Sequence, residues 1–253
     1  MISSRFRLLG VLVVGVGLMA FLASAAQAEG EWLVLETGKL LTGVQIEANK
    51  EKFEVGEVEN NAISILAEEG TTKNDVLCTG FELLDGLLNA TGGLKTGARA
   101  KFTGCKLLAE GAQGLSKEFS KCTPKTSGGP LGTVETLAFH GALKLHELAG
   151  GAKDDTLLLL PDNAEGLFAS FELGAACAFG EELPFFGNLS LQDCGGNTKE
   201  LEHLLSHLWT EFAPLTTLAL FAPRGKTGSK NASVDGSVLS KLSSDRLYAG
   251  SPN

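Results

Sequence analysis

Two histidines, His203 and His207, stand four residues apart in the segment Glu202-His203-Leu204-Leu205-Ser206-His207. On a helix that spacing projects both imidazoles from one face, an arrangement that can bind a divalent metal. A third ligand would come from elsewhere, with Asp193 and Glu211 as candidates. The intervening residues lack the glutamate that a zinc hydrolase sets beside its first histidine, and the pair lies opposite a leucine stripe. A solvated polar face is therefore expected, with a metal-assisted exported hydrolase as the alternative.

His146-Glu147 and Asp154-Asp155 could make an acid/base group beside a serine, yet the chain has no G-x-S-x-G elbow. With 30 acidic residues, accidental carboxylate pairs are many. The stretch Thr91-Gly92-Gly93-Leu94-Lys95-Thr96-Gly97 contains Lys and Thr without the spacing of a phosphate loop. Thr227-Gly228-Ser229 and Asp235-Gly236-Ser237 read as turns, because Asp-Gly supports positive φ. Trp32 and Trp209 read as core anchors. Asn89, Asn188 and Asn231 begin glycosylation sequons that are accidental in a bacterial host. No catalytic, cofactor-binding or metal-ligating residue is nominated, and no cofactor is expected.

The elements that must position these groups are mostly strands. Trp32–Leu35, Val44–Ile46, Ala62–Leu66, Asp75–Cys78, Ala100–Thr103, Thr136–Phe139, Leu143–Leu145, Leu157–Leu160, Phe168–Phe171 and Leu189–Leu191 are brief apolar or alternating runs bounded by turn residues. Glycine is 32 of the 253 residues, enough for a turn between each pair. The pattern predicts an all-β chain, an antiparallel β-sandwich or barrel-like set of sheets. One helix breaks it, at about 198–212: Leu201, Leu204, Leu205, Leu208 and Trp209 follow the 3.6-residue period, with Asn197 as N-cap and Pro214 as the stop. Residues 123–130, Thr-Pro-Lys-Thr-Ser-Gly-Gly-Pro, form a linker candidate between an N-terminal β lobe (29–122) and a C-terminal β lobe carrying the helix (131–253).

Residues 1–28 read as an export signal. Arg5 and Arg7 supply the positive end, Leu8 to Ala23 is uncharged and apolar, and Ala26-Gln27-Ala28 offers a cleavage site. A run of 16 residues is short for the roughly 20 that span a bilayer, so cleavage is favoured over a retained anchor, leaving no membrane segment. Loss of Arg5 and Arg7, the only charges before Glu29, takes the net charge from −9 to −11. That disfavours nucleic acid, and none is expected as a partner, because its binding draws on Lys and Arg. A cell-envelope or extracellular partner is allowed.

All five cysteines, Cys78, Cys105, Cys122, Cys177 and Cys194, follow the leader, where an oxidising compartment lets thiols pair. Two disulfides and one leftover thiol are expected. Cys177 with Cys194 is the favoured bridge, since Pro184 and Gly187 let the chain reverse between them. Among the early three, Cys78 to Cys105 and Cys105 to Cys122 are both open. No pair has the short spacing of a zinc site.

The order Leu77-Cys78-Thr79-Gly80, Phe102-Thr103-Gly104-Cys105, Cys122-Thr123, Leu143-Lys144-Leu145-His146-Glu147, Cys177-Ala178-Phe179-Gly180, Leu191-Gln192-Asp193-Cys194 and Asp235-Gly236-Ser237 resembles a group of exported, cysteine-bearing, β-rich bacterial proteins of unknown function. The resemblance implies an extracytoplasmic β protein and carries over no activity. The expectation is thus a secreted or extracytoplasmic, non-enzymatic structural or binding protein.

Overall fold

A computed structural model describes residues 30–58, 63–69, 72–110, 116–147, 153–177, 182–192, 202–207, 218–221 and 229–251. The expected leader, residues 1–28, lies outside them. The chain is all-β and antiparallel, as the spacing of its apolar runs predicts, with one short helix and one 3-10 turn among the described residues.

The strands are β1 (Glu31–Glu36), β2 (Lys39–Leu40), β3 (Phe53–Val58), β4 (Ile63–Glu69), β5 (Thr72–Cys78), β6 (Gly80–Leu84), β7 (Arg99–Thr103), β8 (Lys106–Glu110), β9 (Ser116–Glu118) and β10 (Val134–Glu135). They continue with β11 (Phe139–Glu147), β12 (Lys153–Pro161), β13 (Leu167–Glu172), β14 (Glu182–Phe186), β15 (Leu189–Gln192), β16 (Glu202–His207), β17 (Leu218–Phe221), β18 (Ser229–Leu242) and β19 (Tyr248–Ser251). The helix α1 is Gly43–Ala48.

Two large sheets share β18. Its C-terminal half pairs with β16 and β3, extending a sheet that runs β11-β12-β15-β16-β18-β3. Its N-terminal half pairs with β17 on one side and β4 on the other, in a sheet that runs β13-β14-β17-β18-β4-β5-β8-β9. The changeover falls at Asp235-Gly236, inside the strand and not at the turn the Asp-Gly pair predicts. Gly236 has φ +148°, a value side-chain-bearing residues rarely adopt, so the glycine lets one strand leave one sheet and enter the other. Strands from before and after residues 123–130 therefore share both large sheets, and the stretch itself closes a turn, with Gly129 N–H donating to the Thr126 carbonyl at 2.8 Å.

A second crossing carries a disulfide. Cys78-Thr79-Gly80 and Thr103-Gly104-Cys105 share three residue types, and the antiparallel register sets Cys78 against Cys105, Thr79 against Gly104 and Gly80 against Thr103. The register is continuous, from Leu77 opposite Lys106 in the β5/β8 pair to Gly80 opposite Thr103 in the β6/β7 pair. Between them the ladder passes from the large sheet into a three-stranded sheet, β10-β7-β6, and Cys78–Cys105 closes that passage with Cα atoms 4.0 Å apart. A Cβ on Gly104 (φ +64°) would stand 2.2 Å from the Thr79 hydroxyl oxygen, and one on Gly80 2.3 Å from that of Thr103.

The second disulfide is Cys122–Cys177, which corrects the expected Cys177–Cys194 bridge. Cys177 sits in the connection between β13 and β14, where the segment Ser120–Lys125 docks through paired backbone bonds between Lys125 and Glu172. The strand before Cys194, β15, belongs to the other large sheet, and Cys194 itself lies outside the described residues. Closing loops of 27 and 55 residues would stabilise the fold by about 4 kcal/mol each in the chain-entropy model.

Helix and strand exchange places relative to expectation. Residues 202–207 form β16, with six consecutive register pairs to β18, so sheet pairing overrides the helical period of the leucines. The rest of the expected helix, 198–201 and 208–212, lies outside the described residues. Val44–Ile46, expected as a strand, is the centre of α1. Thr42 and Gln45 make a reciprocal capping box there, and Ile46 is the face that α1 buries. Thr136–Ala138 likewise lies between strands, with only Phe139 entering β11.

Strands β1 and β19 pair in a further small sheet, β19-β1-β2. Trp32, Phe53 and Tyr248 meet edge-to-face at its base, with centroids 5.0 to 6.3 Å apart. The Trp32 indole N–H donates to the Gly93 carbonyl at 2.7 Å, satisfying the one polar atom the ring buries.

Alanine at Gly93 or Gly104 is expected to destabilise the protein unequally in urea unfolding. Both need positive φ, but the new Cβ at Gly93 meets the Gly141 carbonyl oxygen at 2.0 Å, whereas at Gly104 it meets a hydroxyl that can rotate away. Gly104→Ala should cost about 1–3 kcal/mol and Gly93→Ala more.

Candidate functional site

His203 and His207 lie in β16, opposite Ser240 and Gly236 of β18. A strand rises about 3.3 Å per residue, so their Cα atoms stand roughly 13 Å apart, beyond what two imidazoles on one metal can bridge. The spacing that suits a helix is wrong for the strand actually formed. Asp193 and Glu211 lie outside the described residues. Among the described residues, no group of three His, Cys, Asp or Glu side chains is placed to hold a metal.

The antiparallel β11/β12 pair does bring together residues that are distant in sequence. His146 stands opposite Asp154, Glu147 opposite Lys153, and Lys144 opposite Thr156. Two-residue alternation puts His146, Lys144, Asp154 and Thr156 on one face of the hairpin, while Asp155 pairs with Leu145 on the other. Thr156 pairs on its far side with Gln192 of β15. It is 1% exposed, and its hydroxyl makes no hydrogen bond. A buried hydroxyl without a partner costs about 1–3 kcal/mol relative to a satisfied one.

An imidazole–carboxylate pair that the sequence does not signal lies at the other end of that hairpin. His140 Nδ1 is 2.7 Å from Asp162 Oδ1, and Asp162 Oδ2 accepts the Gly97 N–H at 2.8 Å. The carboxylate is thus held on both oxygens and orients the ring, as in a general-base dyad. His140 and Asp162 are 22 residues apart and meet only because β12 returns along β11, which no local motif announces. The bond to Gly97 also anchors the glycine-rich loop 91–97. That loop is a wedge and not a phosphate cradle, since Gly92 and Gly93 bring it against the carbonyls of Gly30 and Gly141.

Among the described residues the most buried charge is Glu51, 1% exposed, just past the end of α1. It accepts from the Arg246 guanidinium and, at 2.5 Å, from the Ser244 hydroxyl; Arg246 also reaches Glu36 of β1. These contacts clamp the segment before β19 onto α1 and β1 across some 195 residues of sequence. Burial of a carboxylate is tolerated only when donors surround it, so Arg246 and Ser244 are what keep Glu51 in place.

Two half-buried carboxylates are held below their ordinary pKa of 4.5. Glu47 is lowered chiefly by the hydrogen bond from Lys95, then by the Ala90 N–H. Glu172 is lowered by the Ser127 hydroxyl and then by Lys125. Lys241 is raised, chiefly by Asp245.

One cavity among the described residues is apolar. It lies where β18 changes sheets, lined by Ile63, Phe81, Phe102, Leu159, Leu191 and Gly236 among others, with a volume of about 30 Å³. Engineered apolar cavities that take up benzene measure roughly 150 Å³, so this space suits a packing gap and not a ligand.

The remaining residues weighed from sequence have structural places. Trp32 is core, while Trp209 lies outside the described residues. Asn89 accepts from the Thr91 N–H within a turn, Ser190 of the second sequon is fully buried in β15, and Asn231 lies inside β18.

Replacing Arg246 with Ala should leave Glu51 buried and unpaired, at a cost of about 3 kcal/mol. Adding Glu51→Gln should recover part of the loss in chemical denaturation. Acid should act separately. A lowered carboxylate pKa stabilises the fold above the ordinary value and gives that up as pH falls through and below it. Glu47→Gln and Glu172→Gln should therefore flatten the drop in unfolding midpoint between about pH 6 and pH 3. Comparison with protein-family models, with curated proteins and with solved structures finds no match to this chain.

Proposed function

We propose that the protein works outside the cytoplasm, as a disulfide-held β protein with a structural or binding role at the cell surface or beyond. The observation that carries this reading is the pair of buried disulfides, Cys78–Cys105 and Cys122–Cys177, each placed where the chain passes between or docks onto sheets. Disulfides of this kind persist in oxidising compartments and are rare where glutathione keeps thiols reduced. The leader expected over 1–28 and the resemblance to exported β-rich proteins point the same way. Among the described residues, no helix is long and apolar enough to cross a membrane.

Ionisable groups support a structural role in what they do hold. Glu51, Arg246, Glu47, Lys95, Glu172 and Lys125 each join segments far apart in sequence. The metal-assisted hydrolase has no observation in its favour, because β16 spreads His203 and His207 along a strand.

Expression with the native leader, alkylation of free thiols before lysis, and peptide mapping without reduction test the proposal. Cys78 joined to Cys105, Cys122 joined to Cys177 and a mature N-terminus at Glu29 are expected. All four thiols alkylated in native material, with the leader still attached in the cytosolic fraction, would overturn it.

A further inference from the structure

We propose that Cys122–Cys177 is a redox-operated catch: a dithiol reductant opens it in the folded protein and frees the strap Ser120–Lys125 from the edge of β13, while Cys78–Cys105 stays closed. The inference rests on the disulfides being formed, and so on the compartment proposed above.

The two bridges have different surroundings. Cys78 and Cys105 are 0% and 1% exposed and lie inside an unbroken ladder, between Leu77 opposite Lys106 and Gly80 opposite Thr103. The Thr79 N–H donates to the Thr103 carbonyl at 3.0 Å, and the Cys105 N–H to that of Gly132 at 2.9 Å. An attacking thiolate must approach a sulfur along the S–S axis, so reaching this pair requires the ladder to open. Cys177 instead closes the turn Gly174–Cys177, whose Ala175 and Ala176 are exposed, and at 9% it is the most open of the four. Cys122 follows the exposed Ser120 and Lys121 in a single 3-10 turn. Neither lies in a strand.

The exchange needs only the dithiol. Its thiolate attacks Cys177 Sγ, the S–S bond breaks and Cys122 leaves as thiolate; the second thiol then displaces Cys177 from the mixed disulfide. The reductant ends as a disulfide, and its two protons pass to the two cysteines.

What the catch holds is local. Among the described strands β13 pairs with β14 alone. On its other side Lys125 and Glu172 exchange N–H to C=O bonds of 3.0 and 2.8 Å, with Lys125 Nζ 3.1 Å from the Glu172 carboxylate. The Lys121 carbonyl lies so close to Gly174 that a Cβ there would stand 2.6 Å from its oxygen. Both ends of the strap are tied elsewhere, Phe119 N–H to the Leu107 carbonyl at 2.9 Å and Thr126 N–H to that of Thr133 at 3.0 Å. Undocking therefore leaves the large sheets paired and bares the Glu172 N–H and C=O at a sheet edge, where an extended segment can add.

Titration of the native chain with dithiothreitol, followed by alkylation and peptide mapping, tests the catch. Both bridges are expected before reductant is added; if neither is present, the compartment reading falls and the catch with it. During titration Cys122 and Cys177 should become labelled while Cys78–Cys105 persists and the circular dichroism spectrum holds. In that form the Lys125 and Glu172 amides should exchange hydrogen about tenfold faster or more, and trypsin should cut after Lys121 or Lys125. Cys122→Ser combined with Cys177→Ser should show the same cutting without reductant, on a folded chain. Both bridges opening together as the spectrum collapses, Cys78–Cys105 opening first, or a reduced strap whose amides stay as slow as before each overturns the catch and leaves the compartment reading intact. A double variant that fails to fold does likewise.

Discussion

A buried strand must find a partner for every backbone N–H and C=O, and β18 meets that demand in two sheets at once. Fourteen residues long, it exchanges both neighbours at Asp235-Gly236, giving β17 and β4 to one half and β16 and β3 to the other. The rest of the architecture follows from that exchange. Two sheets that share a strand diverge on either side of it. The wedge between them is filled by the small β10-β7-β6 sheet, whose Phe81 and Phe102 pack edge-to-face toward the junction. The 30 Å³ gap marks where three sheets meet and no side chain reaches, because Gly236 has none to offer.

Covalent and ionic ties lie where hydrogen-bonded pairing changes hands. Cys78–Cys105 sits where the β5/β8 ladder becomes the β6/β7 ladder. Cys122–Cys177 fastens a turn onto the end of β13. The Glu51–Arg246 contact fastens the approach to β19. Each stands at a place where sheet pairing alone would leave a loop loosely held, which is the situation in which restricting the unfolded chain contributes most.

Much of this is legible in the sequence, and the failures are instructive. Short apolar runs between glycines locate β1, β4, β5, β7, β11, β12, β13 and β15, since a two-residue period and turn residues are local properties. Residues 202–207 mislead because Leu201, Leu204, Leu205 and Leu208 satisfy a helical period equally well; six pairs to a strand thirty residues away decide the matter. Val44–Ile46 misleads in the opposite direction, although the Thr42-Gly43-Val44-Gln45 capping signature was there to read. Cys-Thr-Gly at 78–80 meets Thr-Gly-Cys at 103–105 only once β5 and β8 pair, a non-local register, just as Cys122 to Cys177 depends on which sheet each segment joins. His140 with Asp162 and Glu51 with Arg246 are products of chain return, invisible to any local window.

The first and last of the described strands are partners, with Glu31 beside Ser251, so the two ends of the described body emerge side by side. A load applied between them would not shear the β1–β19 ladder. It would peel that ladder open one rung after another, the geometry that yields at low force. Extension would then be curtailed by the covalent loops, which lock 27 and 55 residues of contour out of reach. Tethered at both ends, the molecule would give way early at its margin and stiffen afterwards, like a shackled spring.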